Sequence, residues 1–266
     1  MLFRTEPYVE FARKAFAREA TYRMEVLTEV VSLVLRVYLL RSLWTALYAQ
    51  NVAPLGLPLH SMITYATVAL LMSLILEVDG TRSIREKIRE GTIATDLMKP
   101  ISLPMYFFSD GIGQTLVHAL LIVPSLIFAL LLVHVDLPSS PQVALAFAFS
   151  FLLGYVVNFF LNFLMNSIAF WTLETFAAQL IVRWLSDLLS GQIIPLTFFP
   201  GIFGRIIFAL PFAAIYSTPL LIYVGLIPPA QYANYFLAQC LWLVLFGLLS
   251  MLVWHAASRR VVIQGG

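Results

Sequence analysis

The polar residues best placed to do chemistry in this chain recur every four positions within apolar surroundings. Four-residue spacing puts side chains on one face of an α-helix, so each set predicts a polar stripe. The first stripe consists of Asn158, Asn162 and Asn166, and the second consists of Gln179, Arg183 and Asp187. Asp110 is a further acidic residue within an apolar segment. In the second stripe, Arg183 and Asp187 are able to pair along the helix.

These stripes have two interpretations. In the first, they face each other or a subunit interface and border the path of a transported cargo. In the second, they hold helices together through amide hydrogen bonds, each worth about 0.6–2 kcal/mol in a membrane. The residue types slightly favour helix–helix contacts over direct contact with cargo.

Catalytic and metal-binding groupings are poorly represented. Cys240 is the single cysteine, which excludes a disulfide framework and a cysteine-based metal site, and the four histidines are scattered singly. Asp79 and Gly80, followed by arginines, faintly resemble the metal-binding helix of membrane phosphotransferases, but the further aspartates that two divalent ions require are missing. No stretch fits the phosphate-binding pattern G-x-x-x-x-G-K-[ST]. We therefore expect no catalytic residue, metal or cofactor in this chain.

The composition places these residues in a membrane. Of 266 residues, 61% are hydrophobic and 11% are charged, whereas about 25% of residues are charged in an ordinary soluble chain. A core of this size cannot bury so much apolar surface, so the excess must face lipid or a partner within lipid. Soluble enzymes and nucleic-acid-binding modules are therefore poor candidates.

Apolar windows of about twenty residues, the length that crosses a bilayer as a helix, predict an all-α membrane protein with six spans. The predicted spans are 27–49, 59–77, 105–134, 142–170, 175–194 and 231–256. Twelve of the lysines and arginines outside these spans lie on one side of the membrane, and one lies on the other. Because cytoplasmic loops are rich in positive charge, both termini are predicted in the cytoplasm.

Two segments outside the spans have distinctive patterns. Residues 1–25 combine charges with apolar side chains at helical spacing, which predicts an amphipathic helix in the headgroup layer; an ordinary charged lead-in to the first span is the alternative. Residues 195–228 are apolar but interrupted by prolines, which stop helices. We expect a re-entrant helical hairpin over 191–219, entering from the outer face. Two short full spans over 196–227, giving eight in total, are the alternative.

Residues 79–100 form the one long polar stretch within the membrane-spanning region. Ser83 and Glu86 have the spacing of a capping box, and Gly91 suits the end of a helix. An apolar ridge is predicted along one side of the segment, formed by Ile84, Ile88, Ile93 and Leu97. A projecting helix with such a ridge must lie on the membrane or insert into a groove of a partner, and we favour the partner.

The order of these parts resembles the permease subunit of ABC-2 type exporters. The likeness extends over the whole chain and is carried by Ile88–Pro100, Gly191–Pro200 and the tail from Trp254 to Gly266. These stretches are similar to a six-span branch often found as two different permeases beside one ATPase. Arg36 and Arg41, inside the first span, do not match the pattern.

The resemblance implies a permease that dimerises with itself or a sister permease, in a bacterial inner membrane, and docks on separate ATP-binding subunits that hold ATP and magnesium. Residues 82–97 match the family's coupling helix. The coupling residues would be Arg82, Ile84, Arg85, Ile88, Arg89, Gly91 and Pro100. The extracellular gate would involve Gly191, Pro195, Phe199 and Pro200. The many aromatic residues favour a hydrophobic or amphipathic cargo.

Two other classes of protein remain as alternatives. A gradient-driven carrier or channel would need no ATPase, but such carriers usually contain an inverted repeat, and none is convincing between residues 27–134 and 142–256. A membrane-embedded enzyme would need a cluster of histidine, aspartate or glutamate at one depth, which the sequence lacks.

Overall fold

The computed structural model describes residues 6–21, 23–49, 57–172 and 176–258 of the chain. Within those ranges every regular element is helical. The helices of the first half are α1 (Glu6–Glu19), α2 (Arg23–Ala49), α3 (Leu59–Leu76), α4 (Arg82–Arg89), α5 (Ile93–Leu97) and α6 (Leu103–Phe128). Those of the second half are α7 (Pro141–Ser167), α8 (Phe176–Leu189), α9 (Gly201–Ala209), α10 (Pro211–Ile215), α11 (Ser217–Tyr223) and α12 (Tyr232–Ser258).

Five of the described helices are long and apolar enough to cross a membrane, namely α2, α3, α6, α7 and α12. They coincide with five of the six predicted spans. The remaining prediction, 175–194, corresponds to α8, which has only 14 residues and ends five residues before the predicted end. Its first predicted residue lies outside the described part of the chain. At 1.5 Å per residue, α8 is about 21 Å long, less than the ~30 Å hydrocarbon core.

Helix α3 forms the centre of the bundle, because nearly every residue from Met62 to Leu76 is buried. A helix that is apolar on all sides must be enclosed by protein or by lipid. Helices α2, α6, α7 and α11 contact or surround α3 and enclose it within the protein. The outer helices expose large apolar side chains instead, such as Leu241 and Met251 of α12. These exposed faces are the surface that lipid or a second membrane subunit must cover.

Contacts among the connections define one end of the bundle, which we call the α4 end. Near the C-terminus of α12, the centre of the Trp254 ring lies 5.8 Å from the ring centre of Phe163 and 5.7 Å from that of Phe170. Both phenylalanines are near the end of α7. The same cluster contains Ile84 of α4. Ser102, just before α6, donates its backbone N–H to Tyr8 of α1. The start of α6 and the C-terminal ends of α7 and α12 therefore lie together with α1 and α4.

The opposite end is held by a second set of contacts. His60, at the start of α3, lies 2.7 Å from a carboxylate oxygen of Asp136 in the α6–α7 connection. Tyr223, at the end of α11, donates a hydrogen bond to the backbone carbonyl of the same aspartate at 2.9 Å. At the end of the bundle opposite the α4 end, the start of α3 therefore lies together with the α6–α7 connection and the end of α11.

Helix α1 lies along the first half of α6. Their backbones approach closely because Gly113 has no side chain: a Cβ there would lie 2.1 Å from the carbonyl oxygen of Ala12. Ala15 is fully buried in this contact, and Phe11 packs edge-on against Tyr106 at 4.9 Å. A helix is thus present where the amphipathic pattern predicts one. Its placement in the headgroup layer stays a prediction.

The proline-interrupted stretch after α8 folds into three short helices, α9, α10 and α11, of 9, 5 and 7 residues. Leu210 is extended between the first two, as expected for the residue before Pro211. The two later helices are almost entirely buried, and Gly154 of α7 makes room for their backbone: a Cβ there would lie 2.9 Å from the carbonyl oxygen of Ile215. None of the three helices reaches the length of a membrane span.

Candidate functional site

Helix α4 begins one residue after Thr81, whose backbone is held by an aspartate turn. A carboxylate oxygen of Asp79 accepts hydrogen bonds from the Thr81 backbone N–H at 3.0 Å and from its hydroxyl at 2.6 Å. The predicted capping box of Ser83 and Glu86 is therefore wrong, since Ser83 lies inside the first turn rather than at the N-cap. The helix start is fixed by Asp79, which also contacts α7 as described below.

The apolar ridge of α4 and α5 packs against the chain's own core. Ile84 is fully buried and Ile93 is 3% exposed, in a cluster with Phe107 of α6 and Phe163 of α7. Ile88 is partly buried against the same cluster. The prediction that this ridge is open to the groove of a partner is therefore wrong. An amphipathic helix needs one apolar surface to cover its ridge, and here α6 and α7 supply it.

A buried carboxylate closes the elbow between α4 and α5. Asp96 is 5% exposed and pairs with Lys87 of α4 and with Lys99, whose ammonium lies 2.5 Å away. Burial alone raises the pKa of Asp96, but the hydrogen bonds and charges of the two lysines outweigh it and hold that pKa below its ordinary value. Gly91 turns the chain with a φ of +74°, where a side chain would be strained. Pro100 is exposed in the turn that leads to α6.

The face of α4 opposite the ridge is charged and exposed. Arg82 and Glu86 lie 3.5 Å apart on this face, with side chains 68% and 48% exposed. Arg89 is exposed in the last turn, and Met98 beyond α5 is 85% exposed. We call this exposed surface, formed by Arg82, Glu86, Arg89 and Met98, the elbow surface. It is the part of the segment that a partner could reach.

A chain of side-chain hydrogen bonds runs from α4 into the membrane helices. Arg85 of α4 donates to the side-chain oxygen of Gln179 in α8. Gln179 in turn donates to the side-chain oxygen of Asn166 in α7 at 2.6 Å. Asn166 donates to the Thr81 hydroxyl at 2.8 Å and to the Asp79 carboxylate at 3.0 Å. We call these five residues the relay network. It joins α4, α7, α8 and the α3–α4 connection.

The asparagine stripe therefore faces the α3–α4 connection. Asn158 donates to the backbone carbonyl of Leu76, at the end of α3, at 2.6 Å. Asn166, 2% exposed, belongs to the relay network. Between them, Asn162 lines a small cavity beside Gly80. Asn158 and Asn166 thus make hydrogen bonds between elements, as expected if the stripe holds helices together. Asn166 also contacts Gln179 of the other stripe.

The α3–α4 connection also rests directly on α6. A Cβ on Gly80 would lie 2.2 Å from the Cα of Gly111, a distance that real structures do not allow. Only two glycines permit the backbones to meet at this point. The connection therefore contacts both α6 and α7.

The predicted gate begins at a turn that α3 holds. Gly191 has a φ of +83°, and its carbonyl oxygen accepts a hydrogen bond from the hydroxyl of Tyr65 at 2.5 Å. A side chain at Gly191 would lie 3.0 Å from Cβ of Ser217 in α11 and 3.1 Å from the Tyr65 hydroxyl. Pro195 is buried beyond this turn. The helix therefore stops before the left-handed backbone at Gly191, although the sequence is again apolar beyond this residue.

The rest of the predicted gate surrounds the start of α9. Phe199 packs edge-on against Phe203 at 5.6 Å, and a Cβ on Gly204 would lie 2.2 Å from the Phe199 carbonyl oxygen. Pro200 is exposed immediately before the helix. All four predicted gate residues therefore lie in one segment that links α8 to the short helices.

A family model described as "ABC-2 family transporter protein" matches residues 23–265. The chain belongs to the ABC-2 transporter family. No curated protein matches it significantly. The ABC-2 assignment confirms the resemblance and identifies a multi-pass membrane protein, the permease component of an ABC transporter. The family implies association with separate ABC ATP-binding subunits.

Arg183, one of the two charged residues of the second stripe, has a partner that the sequence did not predict. Arg183 of this ABC-2 permease lies 3.8 Å from Glu77, just after α3, rather than pairing along its own helix with Asp187. Gln192 donates a further bond to Glu77 at 3.3 Å. Because the Arg183 side chain is 69% exposed, this pair lies at the edge of the bundle.

Asp110 fastens α1 to α6 of the permease. The carboxylate is 4% exposed and accepts hydrogen bonds from Arg18 at 3.0 Å and from Gln114 at 2.7 Å. Burial alone lowers the pKa of Arg18, but its hydrogen bond and charge interaction with Asp110 raise it above the ordinary value. Asp110 therefore has partners from the chain itself, and the structure does not bring it to the asparagine stripe.

A buried amide that no sequence pattern singled out organises the short helices of the permease. Gln239 of α12 is fully buried and donates to the backbone carbonyls of Ser150 in α7 and Ala214 in α10 at 3.0 and 2.8 Å. Its own oxygen accepts from the Ser150 hydroxyl at 3.0 Å. An amide among the apolar residues in the interior of the last predicted span is the signal that could have identified it. Among the described residues, no group of three or more His, Cys, Asp or Glu could hold a metal ion.

Proposed function

We propose that this permease is half of the membrane channel of an ATP-driven exporter and that ATP-binding subunits dock on its elbow surface. The observation that supports this most directly is the division of α4. One face is buried in the permease core, and the other is charged, exposed and adjacent to the Asp96 elbow. A short helix that is packed against the core on one face and exposed on the other can transmit a displacement from a partner that binds the exposed face.

The relay network supplies the route for that displacement. ATP and magnesium would be held by the partner subunits, and their closure would shift the elbow surface. Arg85 would carry the shift to Gln179 of α8, while Thr81 and Asp79 carry it to Asn166 of α7. Packed, hydrogen-bonded helices move as units, so α7 and α8 would tilt together.

The membrane arrangement that we propose has six crossings, with α8 as an incomplete fifth. The turn at Gly191 interrupts this crossing, and α9 to α11 form a re-entrant hairpin that returns to the end opposite α4. The short helix lengths and the contact of Tyr223 with Asp136 support this arrangement. Both termini and the elbow surface would then lie in the cytoplasm, as the distribution of positive charge predicts.

The gate would lie at the Gly191 turn and the start of α9. Tyr65 and Ser217 hold this turn on α3 and α11, so a tilt of α8 would have to release or bend it. The exposed apolar side chains of α8, including Trp184 and Leu188, would face a second permease, identical or sister. The space between the two subunits would take a hydrophobic or amphipathic cargo.

Docking on the elbow surface is tested by reversing one of its charges. Arg89→Glu should reduce the amount of ATP-binding subunit that co-purifies with the permease in mild detergent, while the permease still inserts. Arg13→Glu is the matched control, because Arg13 is 80% exposed on α1 at the same end of the molecule. Equal recovery of the ATP-binding subunit with both variants, or equal loss, would overturn the docking surface. Transport by the purified permease without any ATPase would overturn the proposed function itself.

A further inference from the structure

Four residues beside α8 form a polar cluster within the bundle. They are Glu77, just after α3; Arg183 and Asp187 of α8; and Tyr216, between α10 and α11. We call them the α8 cluster. Arg183 lies 3.8 Å from Glu77, and Tyr216 interacts electrostatically with Glu77, Asp187 and Arg183. The three charged side chains therefore share one neighbour, the Tyr216 hydroxyl.

The α8 cluster lies between the two ends of the bundle. Asp187 comes eight residues after Gln179 of the relay network, which places it about 12 Å further along α8 from the α4 end. Tyr216 comes seven residues before Tyr223, whose contact with Asp136 lies at the opposite end, about 10 Å away. Ionisable groups at such a depth are costly in lipid and commonly mark functional sites.

The net charge of the α8 cluster is negative, because it has two carboxylates and one guanidinium. Arg183 contacts Glu77, whereas no cation lies within 4 Å of the Asp187 carboxylate among the residues that the structure describes. Glu77 also borders a polar cavity at the α4 end. The rest of the lining of that cavity has two carboxylates, two guanidiniums and one histidine, so it adds no net charge while the histidine is neutral. Asp187 is therefore a half-buried carboxylate whose charge is incompletely compensated.

The Tyr216 hydroxyl gives an independent indication of a ligand. This side chain is only 6% exposed, yet its hydroxyl makes no hydrogen bond with any residue in the described part of the chain. Buried polar groups in folded proteins nearly always have a partner. A phenol oxygen accepts hydrogen bonds, as a carboxylate does. The Tyr216 hydroxyl and the Asp187 carboxylate can therefore receive the same positively charged group.

Exposed apolar side chains adjoin the α8 cluster on the same helix. Trp184 and Leu188, which directly follow the two charged residues of α8, are 64% and 54% exposed. Consecutive residues of a helix lie on neighbouring faces, so the apolar surface runs beside the charged one. An indole ring also attracts cations to its face. A ligand with a positive group and an apolar body would contact both surfaces at once.

We infer that the cargo of this permease is an amphipathic cation whose charged group binds between Asp187 and Tyr216. Its apolar part would lie against Trp184 and Leu188, on the surface that faces the second permease in the proposed arrangement. Glu77, nearer the α4 end, would attract the same charge as the cargo enters. This inference rests on the proposed function, because it names the cargo of the proposed exporter.

The test is equilibrium dialysis of the full-length permease in an uncharged detergent, dodecyl maltoside, with tetraphenylphosphonium or with tetraphenylborate. These two ions have nearly the same shape and opposite charges. We expect the cation alone to bind, and Asp187→Asn to weaken its binding about ten-fold, because one charge contact is lost at a partly buried site. Asp187→Glu, which keeps the charge, should retain most of the binding. Glu10→Gln is the matched control, since it removes a carboxylate that is 50% exposed on α1.

Three results would overturn the inference. Equal binding of the two ions would indicate an apolar site without charge selectivity. Equal loss with Asp187→Asn and Glu10→Gln would indicate a general effect of net charge, and unchanged binding in Asp187→Asn would contradict the site. Should Asp187→Asn not accumulate, Gln192→Lys places a positive charge beside Glu77 and should give a similar loss. Unchanged binding of the cation in that variant would also count against the site.

The dialysis requires no ATP-binding subunit, so it separates the cargo from the docking surface. Failure of the cation to bind would remove this cargo class and leave the docking surface, which the co-purification of Arg89→Glu tests on its own. Selective binding of the cation by a permease that transports without any ATPase would support the cation site and remove the proposed exporter.

Discussion

Replacing Asn166 should break the relay network with a measurable energetic cost. Its side chain makes three bonds to other elements, donating to Asp79 and Thr81 and accepting from Gln179. Asn166→Ala leaves those polar groups without this partner at a site that is 2% exposed. A buried polar group deprived of its partner costs about 1–3 kcal/mol, and partial rescue by water limits the sum, so we expect a loss of about 2–4 kcal/mol.

The matched control is Asn162→Ala, one turn away on the same helix. In the described contacts, Asn162 contributes its backbone carbonyl to Asn166 and no side-chain hydrogen bond. At about 2–4 °C per kcal/mol for a chain of this size, a loss of about 2–4 kcal/mol should lower the melting temperature of Asn166→Ala by roughly 4–16 °C. Tryptophan fluorescence in detergent measures this change, and Asn162→Ala should shift it by much less.

The same pair of variants tests coupling. With its ATP-binding subunits bound, the Asn166→Ala permease should hydrolyse ATP at a rate that no longer responds to cargo, while Asn162→Ala stays coupled. Similar melting temperatures and similar coupling in the two variants would refute the assignment of Asn166 to a specific network. Loss of stability with coupling intact would restrict Asn166 to a structural role.

The remaining predictions concern the gate turn and the elbow. Gly191→Ala should abolish most transport, because a side chain there would have a left-handed backbone and close neighbours. Gly201→Ala is the matched control, since Gly201 has a φ of +62° but open space around it. Equal effects of the two variants on transport would argue against a packed gate. Asp96→Asn should cost stability at neutral pH. Because the pKa of Asp96 is lowered in the folded chain, the wild-type advantage should be fully present above the unfolded pKa of about 3.9 and shrink as the pH falls below it. A wild-type advantage in melting temperature that does not change between neutral and acidic pH would contradict this ion-pair assignment.

The long helices could be predicted from the sequence because hydropathy over about twenty residues is a strong local signal. The end of α8 could not. Ile193 and Ile194 continue its apolar run, and only the left-handed backbone at Gly191, held by Tyr65, shows that the helix stops before them. A hydropathy window averages over such a turn.

The polar residues illustrate a second limit. Their spacing correctly places Asn158 and Asn166 on one face of α7, but spacing along one helix does not identify the element opposite it. The partners, Leu76 and Asp79, come from another part of the chain. The ridge containing Ile84 shows the same limit, because an eight-residue amphipathic helix has one pattern whether its own core or a partner covers it.

The most direct test of the account is photo-crosslinking from one position on the elbow surface. A benzophenone amino acid at Met98, which is 85% exposed, should form an adduct with an ATP-binding subunit in native membranes. The same amino acid at Leu137, 63% exposed at the opposite end of the molecule, should form none. An adduct with the ATP-binding subunit from Leu137 and not from Met98 would contradict both the docking surface and the orientation of the permease.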